Sequence, residues 1–426
     1  MGRPVWSCGA FRFDLERPIV MGVCNVTPDS FSDGGDHADA ESAVAFALGQ
    51  VEAGADLIDV GGESTRPGSS APSEEEEARR VVPVVRALSE RGVAVSVDTR
   101  HAGVARASLA AGASVVNDVS GFRDPAMRDV AASTDAGLVV MHMRGDPGTM
   151  QDDPRYDDVV GEVERYLLDA ASALEERGVA PERICLDPGV GFGKTAEHNA
   201  ALLAATSRLA SRGYPLMVAV SRKSYIGAVK GIASPKARDE ASSLCAAAAC
   251  EDGARVVRAH DVAATREALA SSRRAVVALG SNVGDGPAHL DAAIASLRSS
   301  EGVWVDRVSS YVRSEPAYFE DQPVFTNAVA LVQTTLSPHG LLELLWSIED
   351  AQGRVRTIPD GPRTLDLDIV DYEGAVSDDP SLVLPHPRAL ERAFVVEPLL
   401  EVAPGMTLSD GRAVKEDGVR VGKIVG

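Results

Sequence analysis

The sequence has few aromatic residues, no long apolar run and no C-x-x-C pair. Phe, Trp and Tyr make up only 4% of the 426 residues. No window of 18 uninterrupted apolar residues occurs, which argues against a membrane span, and residues 1–16 lack the apolar segment of a signal peptide. The five cysteines are scattered. An odd, scattered set is typical of a reducing compartment, so we expect a cytoplasmic protein whose cysteines only pack.

Basic residues are also scarce relative to acidic ones. The chain has 42 Lys and Arg against 63 Asp and Glu, a net charge of −21. Nucleic-acid binding needs a basic surface, and RNA-binding modules stack bases on aromatic side chains. We therefore expect no nucleic-acid partner. Small anionic substrates are not excluded, because a few arginines in one cleft can override the global field.

An acidic run at residues 74–77 suggests a metal site at first sight. Ser73 precedes the run in the position of an N-cap, and an apolar-periodic helix follows through Leu88. Acidic residues in a first helical turn complement the helix dipole. We therefore interpret the run as structural.

Short β-rich runs alternate with helical stretches through the first 262 residues. A run at 56–60 is typical: its apolar core is too short for a helix, and two glycines end it. Eight such runs occur, at residues 19–26, 56–60, 93–97, 114–119, 137–141, 184–186, 216–220 and 255–257. Eight β/α units are what a closed α/β TIM barrel, (β/α)8, requires. An open doubly wound sheet usually has fewer strands, and the Gly-rich fingerprint often found after its first strand is missing.

Polar residues lie at the carboxyl end of each of these runs or just after it. They are Asn25; Glu63, Ser64, Thr65 and Arg66; Asp98; Asn117 and Asp118; His142; Asp187; Ser221, Arg222 and Lys223; and Arg258, His260 and Asp261. In a TIM barrel the carboxyl ends of the strands form the active-site mouth. The pattern therefore predicts one functional cleft lined from all eight strands.

The residue types indicate a cleft with two parts. Asp98, Asn117 and Asp187 offer acceptors at strand ends, and a planar donor edge of a heterocycle would pair with them. Basic and donor groups on the last two strands suit a phosphate-like anion: Arg222, Lys223, Arg258 and His260. Asn25 is a neutral oxygen ligand of the kind that Mg²⁺ accepts.

Six motifs within residues 5–270 resemble those of dihydropteroate synthase. They are V-M-G-V-C-N-V-T-P-D-S-F-S-D-G-G (20–35), E-S-T-R-P-G (63–68), N-D-V-S-G (117–121), D-P-G-V-G-F-G-K (187–194), S-R-K-S (221–224) and R-A-H-D-V (258–262). That family is a TIM barrel that joins p-aminobenzoate to 6-hydroxymethyl-7,8-dihydropterin pyrophosphate. A pterin-dependent methyltransferase barrel shares the fold, but it would not need S-R-K-S or T-R-P-G.

The resemblance implies a role for each matching residue. The implied pterin ligands are Asp98, Asn117, Asp187 and Lys223. Pyrophosphate and one Mg²⁺ would lie against Asn25, Arg258 and His260, and p-aminobenzoate against Thr65, Arg66, Pro67 and Ser224. Lys223, Arg258 and His260 would be the catalytic groups. The resemblance also implies a possible homodimer through the barrel.

The pattern changes after a polar stretch at 271–274, which we interpret as a hinge between domains 1–270 and 275–426. Strand-like runs then occur at 276–279, 303–312, 325–333 and 365–372. Helical segments follow the first run, to about 297, and cover Pro338–Ala351. Two helices among four strands in about 150 residues predict an α+β domain of ferredoxin-like fold.

A D-x-D pair is the most informative feature of this second domain. Asp366 and Asp368 lie two apart on a predicted strand, so both carboxylates face one side, with Cα atoms about 6–7 Å apart. That spacing suits two divalent ions. Three arginines lie nearby in sequence, Arg354, Arg356 and Arg363, and arginine clamps phosphates. The pattern favours pyrophosphoryl transfer over a salt-bridged surface strand.

Residues 275–410 resemble 6-hydroxymethyl-7,8-dihydropterin pyrophosphokinase. The matching motifs are A-L-G-S-N (278–282), F-T-N-A-V (325–329), E-D-A-Q-G-R-V-R (349–356), G-P-R-T-L-D-L-D-I (361–369) and L-P-H-P (384–387). The resemblance implies two Mg²⁺ on Asp366 and Asp368. ATP would be bound by Glu349, Arg354, Arg356, Arg363, His386 and Arg392, with Arg354 and Arg363 catalytic. The pterin pocket would comprise Ser314, Phe325, Asn327 and Phe394. Residues 357–360 look one residue short of the family pattern.

Together the two resemblances imply one chain with consecutive steps of folate synthesis. The second domain would use ATP to make the pyrophosphate ester, and the barrel would consume that ester. The small-molecule substrates would be ATP, hydroxymethyldihydropterin and p-aminobenzoate. The alternatives are an RNA-binding ferredoxin-like module, which the acidic charge opposes, and one silent domain that acts as a scaffold.

Overall fold

The computed structural model describes residues 5–27, 35–63, 72–145, 148–319, 321–354 and 361–425, without the side chains of 35–39. The chain forms two compact units, residues 1–228 with 232–269 and residues 229–231 with 270–426. Among the described residues, no helix combines the length and apolar character that crossing a membrane requires.

A β-hairpin precedes the barrel. Its strands are Val5–Cys8 (β1) and Phe11–Asp14 (β2), which pair antiparallel around the turn at Gly9. Two of its side chains, Trp6 and Cys8, are fully buried among inward-facing residues near the amino ends of the barrel strands. The Trp6 indole nitrogen donates a hydrogen bond of 2.9 Å to the Arg183 carbonyl oxygen. The hairpin therefore closes the amino end of the barrel, which leaves the opposite end for a site.

Eight parallel strands form the barrel, as the sequence predicts. They are Ile19–Asn25 (β3), Leu57–Gly61 (β4), Val95–Asp98 (β5), Val115–Asp118 (β6), Gly137–Met141 (β7), Ile184–Asp187 (β8), Met217–Val218 (β9) and Val256–Ala259 (β10). The strands pair in chain order from β3 to β8, and β10 lies between β3 and β9. A parallel bridge between Leu186 and Leu216 joins β8 to the β9 segment and closes the barrel. Strand β9 is shorter than predicted because the chain turns soon after Val218, with Arg222 at φ +59°.

Helices pack around the strands. They are Gly35–Glu52 (α1), Glu74–Ser89 (α2), Ala102–Ala110 (α3), Pro125–Ala132 (α4), Val159–Glu175 (α5), Ala196–Ala204 (α6), Thr206–Ala210 (α7), Ser224–Lys230 (α8), Asp239–Glu251 (α9) and Val262–Ser271 (α10). Helix α2 begins as predicted: the Ser73 side chain accepts a hydrogen bond from the Glu76 amide. The outward-facing residues of the strands and the inner faces of the helices make one continuous apolar core.

Trp6 provides a test of the role of the hairpin. We expect Trp6→Ala to destabilise the barrel by about 3–5 kcal/mol, because it removes a fully buried indole and its hydrogen bond and leaves a cavity. Phe46→Ala is the control, since Phe46 is 47% exposed on α1. The denaturant midpoint for unfolding of the barrel is measured for both variants. Equally small shifts of this midpoint would contradict a stabilising role for Trp6 at the amino end of the barrel.

The second unit contains a six-stranded antiparallel sheet and three helices. The additional strands are Arg273–Ser281 (β11), Val303–Val308 (β12), Val312–Ser314 (β13), Phe325–Thr334 (β14), Asp366–Tyr372 (β15), Ser377–Asp379 (β16), Leu382–Leu384 (β17) and Ile424–Val425 (β18). The helices are Gly286–Ser299 (α11), Pro338–Ala351 (α12) and Ala393–Val402 (α13). The sheet order is β15-β11-β14-β13-β18, and β12 also pairs with β14; β16 and β17 form a separate hairpin. The ferredoxin-like prediction is confirmed.

Alternate residues of the sheet face two different cores. Val277 and Leu279 of β11 pack with helices α11 and α12. Val276, which immediately precedes Val277, packs on the other face with Val395 and Leu399 of α13. This alternation follows from the two-residue period of a strand. Helix α13 and strand β18 were absent from the sequence prediction.

The stretch predicted as a hinge, 271–274, is almost entirely regular structure. Helix α10 ends at Ser271 and strand β11 begins at Arg273, so only Ser272 lies between them. Arg273 and Arg274 are paired in register with Thr334 and Gln333. Polar composition therefore misled the prediction, because backbone pairing with β14 is indifferent to side-chain polarity. The predicted single run at 303–312 is likewise split into β12 and β13.

Candidate active sites

Strand register brings the predicted polar residues of the barrel into one layer. Asn25 lies opposite Gly61, Gly61 opposite Asp98, and Asp98 opposite Asn117 on successive strands. Their side chains meet at the carboxyl end of the barrel, away from the hairpin. The cleft predicted from strand ends is therefore assembled by pairing between β3, β4, β5 and β6.

An ion-pair network occupies the centre of this layer. The Arg258 Nε donates to Asp59 Oδ2 at 2.6 Å, and its terminal nitrogen donates to Asp98 Oδ2 at 3.0 Å. The Asn117 amide nitrogen donates to the same Asp59 oxygen at 3.1 Å. Asp59 is fully buried. Arg258 and Asn117 are thus linked through Asp59, which was not predicted from the sequence, and Asp98 joins the network through Arg258.

Burial moves the pKa values of two cleft residues, one acidic and one basic, toward 7 from opposite directions. Burial, followed by the negative charge of Asp59, raises the pKa of Asp98 to about 7. Burial lowers the pKa of Lys223 to about 7, against the opposing effect of Asp187. Perturbed titrations of this kind cluster in functional sites. The Lys223 ammonium donates to the Val190 carbonyl oxygen at 2.8 Å and lies 3.9 Å from the centre of the Phe192 ring.

The loop after β8 is held by a buried lysine. The Lys194 ammonium donates to the carbonyl oxygens of Gly189 and Phe192, each at 2.9 Å, and lies 2.9 Å from His142 Nδ1. Burial, and then the charge of Lys194, lowers the pKa of His142 to about 3. Gly189 has φ +67°, and a β-carbon there would overlap the His142 carbonyl oxygen. This packing shapes the loop that carries Asp187, whose Oδ1 accepts from the Gly189 amide at 2.7 Å.

Several strand-end residues have structural partners instead of facing the cleft. Arg222 forms a two-pronged ion pair with Asp239, with both distances 2.7 Å. Asp118 accepts from the amides of Ser120 and Phe122 in a turn, and Asp261 accepts from the Ala264 amide at the start of α10. Arg222 is therefore held by Asp239, and its contribution of a cationic group to an anion site stays a prediction.

His260 and Asn25 border the same layer. His260 Nδ1 lies 3.0 Å from the Ser221 Oγ, which also accepts from the His260 amide. A β-carbon on Gly61 would be in van der Waals contact with Asn25 Oδ1, at 3.6 Å, and with Asp98 Oδ2, at 3.7 Å, so both oxygens lie beside this glycine. Oxygen ligands of these two types fit Mg²⁺.

The structure describes only some of the residues that were predicted to bind p-aminobenzoate. Ser224 is exposed at the first position of α8, beside Lys223. Thr65, Arg66 and Pro67 lie outside the described residues.

Glu77 behaves differently from the rest of the acidic run. It is fully buried and lies 2.6 Å from His101 Nδ1, with Glu63 close to both. Glu63 in turn accepts two hydrogen bonds from Arg100, at 2.9 and 3.1 Å. The structural interpretation therefore fits the capped start of α2, while Glu77 lies beside Gly62, immediately after the end of β4.

In the second unit, one open cavity gathers most of the predicted residues. The predicted residues that line it are Phe325, Asn327, Arg363, Asp366, Asp368, Arg392 and Phe394. Gly280 forms part of the wall, where a β-carbon would approach Asn327 Oδ1 to 3.1 Å. Together with Glu315 and Tyr318, these residues place three carboxylates, two arginines and three aromatic rings around one space.

The two carboxylates of the D-x-D pair share one face of β15, as predicted. Leu367 and Ile369 face the opposite core. Asp366 accepts from Arg354 at 2.5 Å and pairs with Arg363 at 3.0 Å. Burial, and then the like charge of Asp366, raises the pKa of Asp368 to about 6. Asp368 forms a looser ion pair, at 3.7 Å with Arg392, so this pair of carboxylates fits divalent cations, which would neutralise the remaining negative charge.

Three predicted residues of this domain support the cavity without lining it. Ser314 is buried, and its Oγ accepts from the Asn327 amide nitrogen at 2.9 Å. Glu349 pairs with Arg354 and accepts from the Leu367 amide at 2.7 Å. Burial, and then Arg392, lowers the pKa of His386 to about 4. Arg356 and the short loop 357–360 lie outside the described residues.

Each site contains a residue that was not predicted from the sequence. In the barrel this residue is Asp59, although an acidic residue inside an otherwise apolar strand was a usable signal. In the second unit it is Tyr318, whose ring centre lies 4.3 Å from the Arg388 guanidinium carbon and 5.6 Å from that of Arg392. No spacing rule points to Tyr318, because a long loop brings it to the cavity.

Comparison with known families assigns both units. Residues 21–260 match the model of the pterin binding enzyme family. Residues 276–404 match the model of 7,8-dihydro-6-hydroxymethylpterin-pyrophosphokinase. The first match spans more than half of the chain.

Individual relatives agree with the first match. Dihydropteroate synthase of Neisseria meningitidis serogroup C is 46% identical over 287 residues, covering 66% of this chain and 100% of the relative. The Escherichia coli K12 protein of the same name is 47% identical over 257 residues, 60% of this chain and 91% of the relative. The solved structure of Xanthomonas albilineans dihydropteroate synthase with 4-aminobenzoic acid aligns with a TM-score of 0.60 and 46% identity, over 63% of this chain and 97% of that chain.

Proposed function

Because the chain belongs to the pterin binding enzyme family, as a dihydropteroate synthase barrel followed by a hydroxymethyldihydropterin pyrophosphokinase domain, we propose how its residues carry out two consecutive steps of folate synthesis. The second domain transfers pyrophosphate from ATP to 6-hydroxymethyl-7,8-dihydropterin. The barrel condenses the resulting ester with p-aminobenzoate, giving 7,8-dihydropteroate and pyrophosphate. We assign the domains to residues 1–270 and 275–426.

In the barrel, the pterin ring would lie against Asp98, Asn117, Asp187 and Lys223. Asp98 and Asp187 supply acceptors for the ring amino and amide groups, and Lys223 supplies a donor. The network through Asp59 supports this assignment, because it aligns Asp98 and Asn117 before substrate binds. Ser224 and the loop that carries Thr65, Arg66 and Pro67 would bind p-aminobenzoate.

Arg258 and His260 would stabilise the departing pyrophosphate. Electron donation from the dihydropterin ring stabilises cationic character at the methylene carbon, so the amine needs no strong base. The chain then mainly stabilises charge that grows on the leaving group. Asn25 would hold one Mg²⁺, which supplies further positive charge to pyrophosphate when bound.

In the second domain, Asp366 and Asp368 would hold two Mg²⁺, which would supply positive charge to the ATP phosphates. Arg354, Arg356, Arg363, His386 and Arg392 would face ATP. Phe325, Asn327 and Phe394 would enclose the pterin, with Ser314 fixing Asn327 and Glu349 fixing Arg354. The cavity supports this assignment, because it places the aromatic rings and the carboxylate pair around one space.

The single observation that carries the bifunctional assignment is that one chain contains two sites, each of which gathers most of the residues predicted for it. The substrates are small molecules, and we propose a cytoplasmic enzyme with a possible homodimer through the barrel. Measurement of the molar mass in solution tests the homodimer.

One incubation tests both activities together. The purified chain is mixed with Mg²⁺, ATP, the hydroxymethyldihydropterin alcohol and p-aminobenzoate, and AMP and dihydropteroate are quantified. We expect both products. AMP without dihydropteroate would remove the barrel assignment and favour a pterin-dependent methyltransferase or a silent scaffold. Neither product from a folded sample would contradict both assignments.

The barrel reaction should have a narrow pH optimum near neutrality. Asp98 has a raised pKa, so its accepting carboxylate is lost as pH falls below about 7; Lys223 has a lowered pKa, so its ammonium is lost as pH rises above about 7. We therefore expect a bell-shaped dependence of kcat/KM for the pterin ester. Asp98→Asn should flatten the acidic limb and Lys223→Gln the alkaline limb. Unchanged limbs in both variants would contradict these roles.

A further inference from the structure

Asp59 is an unusual residue for its position in the barrel. It lies in the middle of β4, where every residue is buried, and its side chain is fully enclosed. Apolar branched residues usually fill the interior of a TIM barrel. A buried carboxylate carries a large desolvation cost unless it is well paired. Its presence there requires contacts that compensate for that cost.

Those contacts all involve one oxygen. Asp59 Oδ2 accepts from Arg258 Nε at 2.6 Å and from the Asn117 amide nitrogen at 3.1 Å. Asp59 Oδ1 has no hydrogen-bond partner within the described part of the chain. The carboxylate is thus aimed at Arg258 and Asn117, which reach it from two other strands, β10 and β6.

The chemistry of these contacts determines the orientations of two side chains, Asn117 and Arg258. An ionised carboxylate can only accept hydrogen bonds, so the Asn117 nitrogen must face Asp59, and its carbonyl oxygen is left to face elsewhere. Arg258 is anchored through Nε, which leaves one terminal nitrogen to donate to Asp98 at 3.0 Å. One buried group therefore controls both an amide and a guanidinium.

We propose that Asp59 is a positioning residue for the dihydropteroate synthase reaction, a role that rests on the proposed function of the barrel. It presents the Asn117 carbonyl oxygen, rather than the amide nitrogen, to the pterin. It also holds the Arg258 guanidinium where charge develops on the leaving pyrophosphate. Asp59 itself touches neither substrate, so it acts through Arg258 and Asn117.

Asp59→Asn is the direct test, because it keeps the shape and removes the charge. An amide at this position can donate as well as accept, so Asn117 can reverse and Arg258 loses its counter-charge. We expect kcat/KM for the pterin pyrophosphate ester to fall on the order of 10²-fold, as for loss of one preorganised donor. KM for p-aminobenzoate should change less than about threefold, because neither partner belongs to that part of the cleft.

Asp56→Asn is a matched control near the opposite end of the same strand. Asp56 pairs with Arg17 and Arg266 and accepts from the Val20 amide at 2.7 Å, away from the mouth. It is thus an arginine-paired carboxylate without a link to the cleft. We expect Asp56→Asn to leave kcat/KM for the ester within about threefold of wild type.

A double-mutant cycle separates positioning from general damage. If Asp59 acts through Arg258, Asp59→Asn should cost much less activity in an Arg258→Ala background than in wild type. Independent, multiplying losses would overturn the proposal, as would an Asp59→Asn variant with wild-type kcat/KM. Should Asp59→Asn fail to fold, judged by circular dichroism, Asp59→Ser in the same cycle decides between these outcomes.

The controls also separate this proposal from the proposed function. A folded wild-type chain that forms no dihydropteroate from supplied ester contradicts the function and the positioning role together. An active wild type with an unaffected Asp59→Asn variant contradicts only the positioning role.

Discussion

We expect Asp368→Asn to lower pyrophosphokinase turnover on the order of 10³-fold, the largest effect among the variants considered. Asp366 is already engaged by Arg354 and Arg363, while Asp368 is 3.7 Å from its nearest arginine, Arg392. Asp368 is therefore the carboxylate best able to take up a divalent cation. Loss of a metal that stabilises several kcal/mol of transition-state charge accounts for this magnitude.

The same substitution should increase the folding stability of the metal-free protein, because it removes the ionisable carboxyl group. The raised pKa of Asp368 means that the folded state holds a proton more tightly than the unfolded chain. Its ionisation in the folded state therefore destabilises the domain increasingly from about pH 4 upward, and fully above about pH 6. We expect added Mg²⁺ to raise the melting temperature of wild type at pH 7.5 and to have little effect on Asp368→Asn.

Asp371→Asn is the control for this prediction. Asp371 lies on the same strand, three residues further along, and accepts from the Ser409 amide at 2.9 Å. It does not line the cavity, so AMP formation should be close to wild type. Dihydropteroate synthesis from supplied ester should be normal in both variants. Equal pyrophosphokinase rates for Asp368→Asn and wild type at saturating Mg²⁺ would refute the metal assignment.

Arg258→Ala should have the second-largest effect, on the other activity. It removes a guanidinium that is preorganised by Asp59 and Asp98 beside the proposed pyrophosphate site. Loss of one such group typically lowers kcat by about 10²–10³-fold. We expect that loss in dihydropteroate formation at saturating substrates, with AMP formation from ATP and the pterin alcohol unchanged.

Arg255→Ala serves as the comparison variant. Arg255 precedes the same strand at its amino end and donates to the backbone oxygens of Cys250 and Ala254. It should retain nearly full synthase activity. If Arg258→Ala kept nearly full turnover at saturating substrate, the proposed role in supporting the leaving group would be wrong.

The sequence was most informative where a pattern has only one structural solution. Eight apolar segments alternating with helices predict a parallel β/α barrel, and all eight strands were found, displaced by at most a few residues. The side-chain alternation on β15 predicted that Asp366 and Asp368 share a face with Leu367 and Ile369 opposite. Such predictions succeed because strand and helix periods are local properties of the backbone.

Predictions from composition alone were weaker. The polar stretch 271–274 suggested a hinge, yet β11 begins within it, because its backbone pairs with β14. Arg222 resembled an anion ligand, yet its Nε and one terminal nitrogen pair with Asp239, seventeen residues later. In each case a partner distant in sequence decided the outcome, and nothing local to the residue identified that partner.

The fold class, the end of the barrel that carries the site and most of the cleft residues thus follow from the order of residues, since parallel strands must present their carboxyl ends together. Tertiary packing alone sets how those residues act. It places Asp59 between Arg258 and Asn117, 199 and 58 residues away in sequence, and it buries Asp98 and Lys223 enough to move their pKa values toward 7. Desolvation and ion pairing depend on distances across the barrel, and those distances exist only after the eight strands have closed.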